Sequence, residues 1–300
     1  MNESQDDSSR QVPRPMARRS VANTEAPSLP ERLAAVWAYR ELLGNLTRKE
    51  LKVKYKNSIL GFMWSLLNPL LYLIIFSVVF QEILRAQIPT YAIFLLSGLL
   101  VWNLFSTGLA AATGSIVGNA SLVQKVWFPR EVLPLSSIGA ALVHFFLQTL
   151  VLASAMVVLR HPPSLSGLVL IIPALISLLL ILSGLGVLLS ALNVRLRDIQ
   201  HLLELVLLAW FWFTPIVYEY LPIQERLGSW SWIAFINPVL PIVMAFQRAL
   251  YNPPSGIVLP DESLLWYFRN LGVSAIVGVV MVAVGFTMFG RMEADLAEEI

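Results

Sequence analysis

Six apolar runs decide what this chain can fold into: Ile59 to Gln81, Tyr91 to Thr113, Val132 to Leu159, Gly167 to Leu192, Leu202 to Tyr218 and Gly272 to Gly290. Most lie near the roughly 20 residues that a helix needs to cross the hydrocarbon core of a bilayer. No water is present there to receive backbone N–H and C=O groups, so each run must close its own hydrogen bonds as a helix. The expected fold class is an all-α integral membrane protein with six transmembrane helices. Composition agrees, since 57% of the 300 residues are hydrophobic and only 13% are charged.

A seventh run, Trp232 to Leu250, contains Asn237, Pro238 and Pro241 near its start. Those residues interrupt a helix early, and the run reads as part of a re-entrant or interfacial hairpin over residues 219–261. Charge placement tests the topology. With the N-terminus inside, the cytoplasmic side takes eleven Lys/Arg before Ile59, then Lys125, Arg130, Arg195, Arg197 and Arg291, sixteen in all; the outside takes five, Arg85, Arg160, Arg226, Arg248 and Arg269. The positive-inside rule supports this orientation, with both termini cytoplasmic. The same count tolerates a seventh span, so the prolines decide for six. Residues 1–30 are polar, carry no apolar segment, and read as a disordered cytoplasmic tail rather than a signal peptide.

Three segments outside the spans carry most of the charge. Over residues 31–58, Leu33, Val36, Trp37, Leu42, Leu43 and Leu46 recur at helical spacing among Arg32, Arg40, Arg48, Lys49, Lys52, Lys54 and Lys56. That pattern predicts an amphipathic helix on the membrane surface, serving either as an anchor or as the frame of a cytoplasmic entrance at Lys52, Lys54 and Lys56. The loop Asn119 to Glu131 predicts a short helix capped by Asn119 or Ser121, running through Leu122, Val123 and Lys125, with an apolar face at Val126, Trp127 and Phe128. Pro129 stops it at Phe128, and Arg130 and Glu131 then stand where the chain re-enters lipid. It is either a docking surface for a soluble partner or an ordinary charged loop. The tight link Asn193 to Gln200 adds Arg195, Arg197 and Asp198, the last placed to cap the following helix.

Chemistry inside the spans is sparse. His144 and Glu204 are the clear ionisable candidates, cysteine is absent, and no paired carboxylates or metal-ligand spacing occur. There is no GxxxxGK[ST] loop to cradle a nucleotide, so an energy source must lie on another chain. No metal or cofactor is expected on this one. Aromatic residues are plentiful by contrast, and Trp64, Tyr72 and Phe76 share one face of the first span. Rings on one face either pack the bundle or stack on sugar rings and let them slide. The stretch Glu219 to Asp261 is either a lid over an exit or a plug between helices.

The order of these parts resembles a known family. The first span reads LGFMWSLLNPLLYLIIFSVVF, the loop NASLVQKVWFPREVLPLS, and the link with its helix LNVRLRDIQHLLELVLLAWFWFTPIVY. Together they are similar to the ABC-2 type permeases of the polysaccharide and polyol phosphate export family, which serve O antigen, teichoic acid and capsule, over about Ala35 to Gly290. The resemblance implies a homodimer in the cytoplasmic (inner) membrane, docked on two separate ABC ATPase subunits that bind ATP and Mg. It implies a coupling helix at about Asn119 to Phe128, a channel whose aromatic lining includes the faces of Trp64, Tyr72 and Phe76, and a lipid-linked polysaccharide on polyprenyl diphosphate as cargo. The diphosphate would meet Lys52, Lys54, Lys56 and Arg130. Nothing points to nucleic acid. The alternatives are a small-molecule or drug exporter of the same superfamily and a membrane enzyme acting on lipid-linked sugars.

Overall fold

A computed structural model describes residues 28–56, 63–85, 88–252 and 258–299. The N-terminal tail before residue 28 lies outside these residues, as do residues 57–62 at the start of the first apolar run. Every regular element among the described residues is helical.

The chain enters helix α1 (Leu29–Ala38) through a local device: the Ser28 backbone N–H donates to the Glu31 carboxylate at 2.8 Å, and Pro30 occupies the first turn. Both stabilise a helix start, because proline has no N–H to leave unpaired and an acidic side chain serves an exposed one. The chain turns at Tyr39 and continues as α2 (Arg40–Tyr55), so the expected single amphipathic helix is a broken pair. Leu46 of α2 is buried, while Trp37 on α1 stays exposed.

Four helices are long and apolar enough to cross a membrane: α4 (Tyr91–Gly118), α6 (Val132–Val158), α7 (Ile171–Arg195) with the 3₁₀ turn Gly167–Leu170 before it, and α11 (Leu264–Glu299), whose apolar part runs to Glu293. Between α4 and α6 lies the short α5 (Ala120–Lys125). Two further apolar helices are shorter. One is α3 (Trp64–Ser77), extended by a wider π turn at Val78–Ile83; the other is α8 (Ile199–Phe213). The run expected to continue to Tyr218 stops at Phe213 because Thr214 precedes Pro215, whose ring disfavours helical backbone at Thr214. Conversely, α11 begins eight residues before the expected Gly272, since Leu264 to Leu271 holds no breaker even though Arg269 and Asn270 dilute its hydropathy.

The segment between α8 and α11 bends as its prolines require. Leu221–Ile236, made of α9 (Leu221–Leu227) and the 3₁₀ stretch Gly228–Ile236, meets Leu240–Tyr251, which begins with α10 (Leu240–Phe246), at 101°. Asn237 at the corner is extended, as a residue before proline prefers. All seven residues of α10 are buried in the same core as Tyr91, Phe94 and Phe105 of α4.

The closest backbone approach is between α7 and α11. A Cβ at Gly285 would collide with the Gly184 carbonyl, a Cβ at Gly184 with the Met281 backbone, and one at Gly278 would stand 2.7 Å from the Leu180 Cβ. Small residues let helices touch where lipid offers no hydrophobic drive to associate. Replacing Gly285 with Ala should therefore force the pair apart and cost about 1–3 kcal/mol. Gly272→Ala, with nothing within 4 Å of its Cβ, should be neutral or mildly stabilising. Thermal unfolding of the two variants in detergent checks the contrast.

Candidate functional site

Helices α3, α4, α6 and α8 enclose a cavity of about 490 Å³ with two unlike walls. The first is aromatic. Tyr72 and Phe76, four residues apart on α3, stack with centroids 6.0 Å apart; Phe76 meets Phe211 of α8 at 6.1 Å, and Phe211 meets Trp102 of α4 at 5.6 Å. Trp212 adds its ring beside Phe211 at 5.5 Å. Tyr72 and Phe76 share one face of α3, and both line this cavity. The side chains of Trp64 and Lys54 lie outside the described residues.

The second wall is polar but largely uncharged. Asn103, Ser106 and Thr107 occupy one face of α4 by their spacing of three and four, and His144 and Gln148 do the same on α6. Asn103 Nδ2 donates to Gln148 Oε1 at 3.3 Å. Ser106 and Thr107 donate to the Trp102 and Asn103 carbonyls, at 2.8 and 2.5 Å, which leaves both hydroxyl oxygens as acceptors. Glu204 of α8 completes the lining. His144 and Glu204, singled out in sequence as scarce ionisable groups, therefore border the same space. Asn103 and Gln148 were not singled out; their signal is a polar residue repeated at helical spacing inside an apolar run. Among the described residues no group of three His, Asp or Glu side chains is placed to hold a metal. Ring faces beside neutral donors and acceptors suit a hydroxylated ligand that slides.

A second cluster lies at the end of the bundle that carries α1, α2 and α5. Arg32 Nη1 donates to Glu131 Oε1 at 2.6 Å, Arg32 Nη2 reaches Glu293 Oε2 at 3.1 Å, and Arg130 Nη1 donates to the Glu293 backbone oxygen at 3.1 Å. Gly290 makes room for the guanidinium, since a Cβ there would stand 2.5 Å from Arg32 Cζ. Glu131 is 2% exposed. Burial pushes its carboxyl above the usual carboxylate range, and Glu293 adds to the rise against the opposing pull of Arg32. Glu131 is thus an internal brace and not an outward contact, which corrects its expected place on a docking face.

The loop helix differs from expectation at both ends. Asn119 stands at its N-cap as expected but makes no side-chain capping bond: Asn119 Nδ2 donates to the Ser115 carbonyl at 2.9 Å while its Oδ1 accepts from Lys49 Nζ at 2.6 Å, so α2 has taken the capping oxygen. Helix α5 ends at Lys125, and Val126 is already extended. The chain then alternates, leaving Trp127 83% exposed and Phe128 4% exposed. Phe128 and Val123 face the core, Leu122 is half-buried, and Ser121, Lys125, Val126 and Trp127 look outward. A groove of about 440 Å³ runs along Gln124, Lys125, Trp127 and Arg130. Beside it, Lys52 and Lys56 border a second groove with Asn45, Arg48 and Lys49. Arg195, Arg197 and Asp198 are exposed; Asp198 stands at the start of α8, but its carboxylate makes no capping bond.

Comparison with known proteins bears on both clusters. The family described as ABC-2 type transporter matches residues 41–251. An O-antigen export system permease protein RfbA of Klebsiella pneumoniae is 31% identical over 258 residues, covering 86% of this chain and 94% of the relative. One from Myxococcus xanthus is 32% identical over 267 residues, covering 88% and 97%. The polysialic acid transport protein KpsM of Escherichia coli is 25% identical over 211 residues, covering 67% and 78%.

The ionic brace yields a measurable expectation. Arg32→Ala strands a buried carboxylate and should cost about 3–5 kcal/mol. Only ionised Glu131 needs the partner. The deficit should therefore be largest well above the usual carboxylate range and shrink as the pH falls through the raised Glu131 pKa. Melting curves of the detergent-solubilised variant and wild type across that fall in pH test both the size and the sign.

Proposed function

The chain belongs to the ABC-2 type transporter family, and on that premise we propose that it is the permease of an ATP-driven exporter that moves a lipid-linked polysaccharide, carried on polyprenyl diphosphate, across the cytoplasmic membrane. The observation that carries this reading is the cavity, lined by a run of aromatic rings together with amide and hydroxyl side chains. A drug-sized apolar cargo has no use for that second wall. The names of the relatives, O-antigen and polysialic acid exporters, point the same way.

In this reading α3 with its π extension and α8 join the four long helices to make six spans, and the bent pair α9 to α10 is an outer re-entrant hairpin. The excess of Lys/Arg at the α1, α2 and α5 end supports placing that end, and both termini, in the cytoplasm. The exporter is a homodimer whose channel forms between two copies of the α3 and α8 faces, on which Leu71, Ile74, Ile75, Leu205, Leu208 and Phe213 are exposed. Each copy docks an ATPase subunit through Ser121 to Trp127. Closure of the two ATPases pushes α5, and the rigid links from Asn119 to Lys49 and from Arg130 and Glu131 to α1 and α11 carry that push to the spans. The basic groove at Lys52 and Lys56 receives the diphosphate.

Depleting the protein in its host should cause lipid-linked glycan to accumulate on the cytoplasmic side while the matching polymer disappears from the surface. Unchanged pools, in a host without a second exporter, would reject the reading. The docking assignment has its own test, because a central exposed tryptophan is a common binding hot spot. Trp127→Ala should weaken co-purification of the ATPase by about 2 kcal/mol or more while leaving the melting temperature of the permease unchanged.

A further inference from the structure

Resting on the glycan reading, we propose that the cavity admits uncharged glycan in preference to polyanionic glycan, and that Glu204 is a specificity-determining residue for that choice. Among the described residues the lining holds one carboxylate, Glu204, and neither lysine nor arginine. A carboxylated sugar entering it would leave water without gaining a countercharge, a transfer that is costly for any ion. It would also approach the like charge of Glu204, which stands exposed on α8 at the cavity's edge.

The aromatic wall acts in the same direction. The faces of Tyr72, Trp102, Phe211 and Trp212 carry the negative side of the ring quadrupole, which welcomes the C–H face of a neutral sugar and disfavours an anion. The other wall offers what hydroxyls need. The Asn103 to Gln148 hydrogen bond uses one N–H and one oxygen of the pair, so further donors and an acceptor remain, beside the acceptor oxygens of Ser106 and Thr107. The cations at this end of the chain, Lys52, Lys56 and Arg48, border a separate groove on α2 and do not line the cavity. A diphosphate can therefore be held at that groove while the sugars behind it pass through a space that the described lysines and arginines do not line.

The chain has no cysteine, so Ser106→Cys introduces a single thiol into the cavity. The variant, reconstituted in nanodiscs at about pH 8, is labelled with N-ethylmaleimide. Two probes of equal length compete, maltoheptaose and a heptamer of sialic acid. At low ionic strength maltoheptaose should slow labelling at concentrations about tenfold lower than the sialic acid heptamer requires. High salt should narrow the gap. In the Glu204→Gln background the difference should fall to about twofold, and Glu204→Ala should do the same, separating the lost charge from any local misfolding. Equal protection by both probes, or a gap that neither substitution moves, would overturn charge selection and leave the glycan reading standing. Protection by neither probe would overturn both.

Discussion

Backbone groups that cannot meet water govern where this chain is allowed to bend. Two breaks fall within the apolar part of the sequence, at Thr214 where α8 ends and at Asn237 between the two arms of the bent pair. Each break exposes N–H and C=O groups that lipid would leave unpaired. Thr214 Oγ1 donates to the Trp210 carbonyl at 2.9 Å, and Asn237 ties the two breaks together. Asn237 Oδ1 accepts from the Trp210 indole at 2.8 Å and from the Val239 backbone at 3.0 Å, while its Nδ2 donates to Thr214 Oγ1 at 2.9 Å. Gln247 reaches the Pro215 carbonyl at 3.4 Å and adds a second tie. The bend in the hairpin and the end of α8 are thus one structural unit. This explains why α10 can sit wholly buried in the α4 core although its own helix is only seven residues long.

The same economy appears at the opposite end, where charge replaces neutral amides. Arg32 brings α1 against the start of α6 and the end of α11 through two carboxylates. A buried ion pair is not in itself a strong stabiliser, because desolvation offsets most of the attraction. Its use here is positional. It fixes the loop that follows Trp127 against α1 and α11.

The long elements were legible because length and hydropathy suffice for them: α4, α6, α7 and the apolar part of α11 are apolar over enough residues to need no further information. The corner at Asn237 was legible for a local reason, since proline restricts the residue before it whatever the tertiary setting. Thr214 obeys the same rule, yet its Pro215 was read as part of a continuing run. The loop helix was misjudged at both ends because its cap depends on Lys49, 70 positions away in sequence. Glu131 was placed on the surface for a similar reason, since Arg32 is 99 residues distant. Within the candidate site the charged members stood out by rarity, whereas Asn103 and Gln148 did not, because a neutral polar residue inside a span is common and only its neighbours give it meaning.

The separation of Arg32 from Glu293 by 261 residues also orders assembly in time. As the chain emerges during synthesis, α1 can meet Glu131 once the second long helix has begun, but the other half of the clamp, with the recess at Gly290, arrives with the last helix. Until then the arginine is held on one side only. The surface around Trp127 therefore acquires its final rigidity at the end of translation, and an unfinished permease presents a loose version of it.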